Sequence, residues 1–514
     1  MVVRDDSTLQ YDLAVIGGGI NGAGIARDAA GRGLSVLLLE QHDLASATSS
    51  ASTKLVHGGL RYLEYYEFGL VAQSLAERET LLRIAPHIIW PLQFVMPHES
   101  HLRPAWLIAA GLLLYDHLGG WRRFLPGGPL PRSRRVRLAA DGLGAGLNPA
   151  FDTGFSYFDC WVDDARLVLL NARSAADHGA DIRTRTRLVS AQRLGHAWSL
   201  QLQSGAQQSE VSARVLVNAA GPWVQSVLAQ QLQQAARAGV RLIRGSHIIV
   251  PRLHPGGQAY ILQNPDRRII FMIPYEGDFT LIGTTDVPLT PEEQAAPGQA
   301  HISETEIRYL CAAASRYAVR PVRPADVVWH YSGVRALYDD GSSNPSAVTR
   351  DYHQDLNVGT DGRSPPVLSV FGGKITTYRR LAEQVLARLR PWLGEATGWT
   401  GDSPLPGGDM ADFASFLHDL QQRHAGLPPT LVASLARRHG TLSSEILGTA
   451  TAVADLGEDF GGGLHEAELV YFQRKEWAQT AEDVLWRRSK CGLHMSELQR
   501  SRVAAWMGQA GQRV

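Results

Sequence analysis

The stretch Tyr11-Asp12-Leu13-Ala14-Val15-Ile16-Gly17-Gly18-Gly19-Ile20-Asn21-Gly22 reads as a short apolar strand that stops on glycines. The Ala-rich run Ala23 to Arg32 continues as a helix, and Gly33 supplies its stop. Ser35-Val36-Leu37-Leu38-Leu39-Glu40 is a second strand of the buried parallel type, ending in a carboxylate. The segment is a βαβ unit. Gly17, Gly19 and Gly22 take the GxGxxG positions. The first makes the turn, the second lets backbone approach a pyrophosphate, and the third allows helix and strand to pack closely. The helix N-terminus then faces the anion. Glu40 follows at the end of the second strand, where an acid accepts hydrogen bonds from an adenosine ribose. An ordinary glycine turn would not come with all three features. An unphosphorylated ribose, NAD or FAD rather than NADP, suits a free carboxylate at Glu40.

Working outward, Ser46 to Lys54 crowds small hydroxyl residues and runs into His57-Gly58-Gly59-Leu60-Arg61-Tyr62. Thr48, Ser49, Ser50, Lys54, His57 and Gly58 suit a loop that wraps a diphosphate and a flat ring, which favours FAD. A Ser-rich surface linker is the weaker reading, because the stretch ends in Gly-Gly-Leu-Arg-Tyr-Leu rather than in polar sequence. Two later stretches repeat the pattern of strand, glycine turn and helix. These are Arg214 to Trp223, with Ala220 and Gly221, and Val367 to Thr377, with Gly372, Gly373, Ile375 and Thr376. Each alone would be ordinary fold punctuation; together with the first unit they resemble the discontinuous FAD domain of the glutathione-reductase-like oxidoreductases, with a substrate domain inserted between its parts.

Composition agrees. The 514 residues, 44% hydrophobic, exceed one ordinary core and call for two or three domains. Fifty basic side chains balance fifty acidic ones, which argues against nucleic-acid binding. Cys160, Cys311 and Cys491 lie far apart and form no CxxC pair, so a reducing cytosol fits and neither disulfide framework nor metal site is expected. The residues before Tyr11 have no apolar core and do not read as a secretory signal, and no run has the ~18 apolar residues of a spanning helix. The 51 glycines exceed the usual ~7% and point to backbone pressed close to a ligand.

The blocks VIGGGINGAGIARDAAGRGLSVLLLE, TSSASTKLVHGGLRYLE, FDCWVDDARLVLLNA, VNAAGPW, RLIRGSHI, AYILQN, LIGTTDV, YSGVRALYDD, TRDY, LSVFGGKITTYR, LGEDFG and DVLWRRSKCGL follow in this order. Taken together they resemble the FAD-dependent glycerol-3-phosphate dehydrogenase family, from Tyr11 to beyond Trp486. Ala336 follows Arg335 where members usually carry proline. The resemblance implies a peripheral membrane flavoenzyme that oxidises sn-glycerol 3-phosphate to dihydroxyacetone phosphate and passes electrons to a membrane quinone. It implies an α/β fold with the FAD domain in residues 1–80, 155–235 and 350–400. An α+β substrate and membrane-contact domain would occupy 81–154 and 236–349, and a C-terminal all-helical cap 401–514. A homodimer at the inner face of the cell membrane is expected, with non-covalent FAD. Val189 joins the cofactor set.

Arg61, Arg335 and Arg350 sit in glycine-rich or apolar loops, where planar multidentate donors suit a phosphate dianion. The resemblance places Arg61, Tyr62, His247, Thr284, Arg335, Arg350 and Lys374 around the substrate. Transfer of the C2 hydrogen to flavin N5 as hydride needs an acceptor for the hydroxyl proton. His247 is the first candidate, the competing reading being a core histidine satisfied by backbone. Arg335 or Lys374 would stabilise the alkoxide and the reduced flavin, with Arg61 and Arg350 on phosphate. His57 admits a covalent flavin link, which the resemblance does not support.

Seven arginines, Arg103, Arg122, Arg123, Arg132, Arg134, Arg135 and Arg137, flank the apolar run Trp106 to Tyr115, with Asp116 the single acid there. The pattern fits a helix lying in an anionic leaflet, and equally a buried helix with a solvated basic flank. The resemblance tips the reading toward the membrane. Ser403 to Gly408 reads as a linker into the C-terminal region, and the acidic turn Leu456 to Gly461 as structural. Rival readings are an oxidase delivering electrons to O2, an amine or amino-acid oxidase on the same scaffold, and a subunit whose FAD is structural.

Overall fold

The computed structural model describes residues 10–99, 102–118, 130–235, 239–266, 268–339, 352–359, 364–395 and 397–510, with the side chains of Arg61 and Ala510 left aside. β1 (Gln10–Ile16), α1 (Ile20–Gly31) and β2 (Val36–Leu39) form the expected unit. Leu13, Ala14 and Val15 are wholly buried, as a strand covered on both faces requires. Gly33, at φ +84°, follows the end of α1 and donates its N–H to the Ala30 carbonyl at 2.9 Å.

β1 lies inside an eight-stranded sheet whose main path runs His353–Asn357, Val367–Phe371, Gln207–Asn218, β1, β2, Asp181–Arg183. From Val367–Phe371 to Asp181–Arg183 neighbouring strands are parallel, so their carboxyl ends and glycine turns gather on one edge. One face packs on α1 and on the helices Asp164–Asp177 and Tyr378–Leu393. The other is covered by the meander Thr186–Leu194 and Ala197–Ser204, through Leu188, Trp198 and Leu200.

A second, ten-stranded sheet carries the inserted region. There the strand Gly239–Pro251 pairs antiparallel with Trp329–Asp339 and with Phe279–Gly283. The strand Thr153–Val162 also belongs to this sheet, pairing along its length with Ile89–Pro97. The boundary expected at residue 155 therefore falls inside a strand, and Leu55–Val56, within the expected 1–80 segment, pairs there too. Local pattern marks strands but not the sheet they join.

The C-terminal region builds its own core from Leu420, Val432, Leu435, Leu469, Phe472 and Val503. It is helical apart from the two-stranded hairpin Asp459–Gly461 and Leu464–His465. Cys160, Cys311 and Cys491 are buried free thiols. No helix among the described residues is long and apolar enough to cross a membrane.

Candidate active site

A cavity of about 1560 Å³ opens between the two sheets, lined from both. Gly17 and Gly19 line it, while Gly22 packs beneath: a Cβ there would stand 1.9 Å from the Gly17 carbonyl oxygen. α1 begins at Ile20, whose amide donates to Ser49 Oγ at 3.0 Å. Amides of a first helical turn lack intrahelical acceptors, and Ile20 and Asn21 place that turn on the cavity wall, where it suits an anion. Glu40 lines the cavity, accepting from the amides of Gly18 and His42, each at 2.8 Å. Burial nevertheless pushes its carboxyl above the ordinary range. Thr48, Ser49, His57, Ala220, Gly221, Gly372, Gly373, Ile375 and Thr376 join them on the wall. Asn21 donates through Nδ2 to the Gly372 carbonyl at 3.1 Å and so ties the first turn to the last.

Besides Gly22, four expected cofactor residues sit off the wall. Lys54 is buried, its ammonium on Asp164 at 2.6 Å and on the Ser50 carbonyl at 3.1 Å. Asp164 also accepts from the Ser52 hydroxyl at 2.7 Å, so the pair braces the loop from behind. Ser50 turns back to the Ala47 carbonyl. Gly58 donates its amide to Tyr115 Oη at 2.8 Å and packs against Leu75. Val189 is exposed, whereas Thr186, Arg187 and Leu188 line the wall.

Of the expected substrate residues, Tyr62, Thr284, Arg335 and Lys374 line the cavity. The Lys374 ammonium lies 3.9 Å from the centre of the Tyr62 ring, in cation–π range. Arg335 donates to Thr284 Oγ1 at 3.1 Å and pairs with Asp286. Gly245 leaves room for that guanidinium, since a Cβ there would come within 2.5 Å of Nη2. Arg350 and the side chain of Arg61 lie outside the described residues.

His247 is not on the wall. It is buried below it, stacked on Tyr331 at 4.8 Å, with Nε2 3.0 Å from Thr53 Oγ1, and Thr53 does line the cavity. Gly283, directly across the ladder, makes space for the ring: a Cβ would sit 2.1 Å from the imidazole. Burial, with Arg335 and Lys54 adding positive charge, holds the imidazole well below its ordinary pKa, so it is neutral. Thr53, Asn21 and Asp286 are the side chains that sequence reasoning passed over. Each lay inside a quoted block, and only three-dimensional proximity singles it out.

The site fits FAD. Gly17, at φ +107°, lies so close to the second glycine turn, after Gln207–Asn218, that a Cβ would come within 2.6 Å of the Ala219 carbonyl oxygen. The N-terminus of α1 stands at the cavity wall, where a helix suits an anion, and Asn21 Oδ1 is a buried acceptor with no donor among the described residues.

The profile of the FAD dependent oxidoreductase family matches residues 12–379, and that of the C-terminal domain of alpha-glycerophosphate oxidase matches 399–510. The chain is 52% identical to a glycerol-3-phosphate dehydrogenase of Pseudomonas aeruginosa, covering 97% of this chain and 95% of that one. It is 50% identical to a D-erythritol 1-phosphate dehydrogenase of Brucella abortus, covering 97% and 98%. The crystal structure of a glycerol-3-phosphate dehydrogenase from Bacillus halodurans complexed with FAD superposes with a TM-score of 0.74 at 24% identity, over 98% of this chain and 95% of that one.

Proposed function

The chain belongs to the FAD-dependent glycerol-3-phosphate dehydrogenase family, and from that premise we propose that it oxidises the C2 hydroxyl of sn-glycerol 3-phosphate and passes the electrons to a membrane quinone. The observation that carries the reading is the presence of Lys374, Tyr62, Arg335 and Thr284 in the same cavity as the glycine turns and Glu40. Gly17, Gly19, Glu40, Ser49, Gly221, Gly372 and Gly373 would hold FAD, which when bound supplies the two-electron acceptor for the C2 hydrogen. Arg335 and Lys374 supply fixed positive charge for the alkoxide and phosphate, with Arg61 and Arg350 expected on the phosphate.

The hydroxyl proton leaves through Thr53. Its Oγ1 accepts the proton of the C2 hydroxyl while its own hydrogen moves to Nε2 of neutral His247, so one proton enters and one leaves the threonine. The exposed apolar face of the helix Ala105–Leu118 supports peripheral membrane attachment.

The test is anaerobic bleaching of bound FAD. Glycerol 3-phosphate should bleach the parent enzyme, and His247→Gln and Thr53→Val should slow bleaching by about a hundredfold or more, with Thr53→Ser retaining most of the rate. A parent that does not bleach ends the substrate reading. A Thr53→Val variant as fast as the parent ends only the proton route. Quinone reduction without peroxide separates a dehydrogenase from an oxidase. The Brucella abortus relative favours a second reading, a longer polyol phosphate. Relative kcat/KM for glycerol 3-phosphate and D-erythritol 1-phosphate decides between them.

A further inference from the structure

The segment Asp483–Arg488 of the C-terminal domain takes no part in the chemistry above, yet it holds a buried charge cluster against the cofactor loops. Asp43 is buried, with Oδ2 accepting from Arg487 Nε at 2.6 Å and Oδ1 from Arg488 Nη2 at 2.8 Å. Asp483 is also buried and accepts from Arg487 Nη2 at 2.5 Å and from Arg185 Nη2 at 2.8 Å. Arg487 therefore bridges two carboxylates, one from each domain.

Asp43 and Arg185 stand in the two loops that flank Glu40. Gln41, His42 and Ala45–Thr48 from the first, and Thr186–Leu188 at the start of the strand that follows the second, line the cavity. The loops are joined directly: the Arg185 amide donates to the His42 carbonyl, and the Thr186 amide to the Glu40 carbonyl, each at 2.8 Å. Ala45 in turn donates its amide to the Gly18 carbonyl at 3.1 Å, so the loop is fastened to the glycine turn itself. Each loop carries one left-handed non-glycine residue, Ala45 at φ +59° and Arg185 at φ +50°. Such conformations persist where the surroundings hold them.

We propose that Asp483, Arg487 and Arg488 form a clamp that positions both loops, so that the C-terminal domain sets how tightly FAD is retained. They are positioning residues, acting through Asp43 and Arg185. The competing account is plain domain packing, and the same segment provides its control. Trp486 stacks on Trp329 of the substrate sheet at 4.1 Å and 10°, as a domain contact separate from the charge cluster.

FAD release from the holoenzyme, followed by the fluorescence of free flavin after dilution, distinguishes the two. Arg185→Gln and Asp43→Asn should each speed release about tenfold or more, and Arg185→Lys should restore most of the retention. Trp486→Ala should leave release within about twofold of the parent. The bleaching rate of FAD-replete Arg185→Gln at saturating substrate should stay at the parent value. Release at the parent rate in Arg185→Gln, whatever its unfolding temperature, overturns the clamp. So does Trp486→Ala releasing FAD as fast as Arg185→Gln. Arg185 is 29% exposed and its replacement leaves Asp483 paired with Arg487, so this variant decides the matter even if Asp43→Asn does not fold.

Discussion

His247 lies between a core histidine and a site histidine: it is buried, yet one hydroxyl away from the cavity. The groups facing it are Thr53, Tyr331, Lys54 and Arg335, two of them cations and none an acid. Burial first, then those cations, lowers its pKa well below 6.5, so the neutral, proton-accepting form prevails at neutral and mildly acidic pH. The acid limb of the bleaching rate should therefore fall below pH 6.5. Arg335→Gln removes one cation, so the limb should move to higher pH while glycerol 3-phosphate binds more weakly. A limb that stays in place in that variant would remove His247 as the acceptor. At this scale the sequence made the residue types legible, since arginine, lysine and threonine in glycine-rich blocks do meet in the cavity. The depth of His247 was not legible. It arises from Gly283 and Tyr331 on neighbouring strands, and a ladder partner leaves no mark beside the histidine itself. Lys54 misled for the converse reason, because its partner Asp164 is remote in the chain.

Among the elements, the βαβ unit was readable because its strands, glycines and acid are local, whereas the sheet membership of Thr153–Val162 depends on remote partners. The helix Ala105–Leu118 shows both cases at once. Its apolar composition was evident, and the two readings of it differed only in what covers it. Only Leu112, Tyr115 and Asp116 are buried, while Trp106 is 71% and Leu113 58% exposed. Asp116, expected as the one acid of a basic surface, faces inward and accepts from the Ser133 amide and hydroxyl at 2.8 and 2.7 Å. The outer face is thus apolar without an acid, and Leu107 and Leu114, also exposed, border the cavity. Tyr66 and Phe68 extend the exposed apolar surface beside it. Such a face suits insertion at the acyl boundary, close to where a quinone would meet the flavin. The protein should float with anionic vesicles at low salt and less so at high salt. Trp106→Ser/Leu113→Ser should lower flotation at least tenfold with bleaching by glycerol 3-phosphate unchanged. Equal flotation of that variant and the parent would remove the helix from the membrane contact.

Over the whole molecule, the C-terminal domain is joined to the rest through buried charge rather than through apolar surface alone. Arg166 pairs with Glu476 at 2.5 Å, Lys490 with Asp163 at 2.7 Å, and Arg437 lies over Trp90 and Phe413. Within the domain, Glu468 accepts from Arg438 at 2.7 Å and from His439 at 2.8 Å. Burial keeps His439 below its ordinary pKa, so the carboxylate's charge is balanced by Arg438. Although burial alone would raise it, that guanidinium together with the His439 N–H brings Glu468 from 4.5 to about 2. Asp483 falls from 3.8 to about 2 through the Gln479 amide, Arg488 and Arg185, again against burial. For a carboxylate with a lowered folded pKa, the stabilisation is complete above the unfolded value and is lost as pH falls through the folded one. The stabilisation from Glu468 and Asp483 should therefore be flat above about pH 4.5 and drop between there and about pH 2. Glu468 alone would contribute of the order of 3 kcal/mol to that drop. Glu468→Gln leaves Arg438 buried without its partner, so the variant should be less stable at neutral pH, by about 3 kcal/mol or more. Its remaining stability should depend less steeply on acid than the parent's, because the titrating group is gone. Urea midpoints of both proteins from neutral pH downward measure the difference. Parallel curves would show that this pair does not link the C-terminal domain's stability to pH.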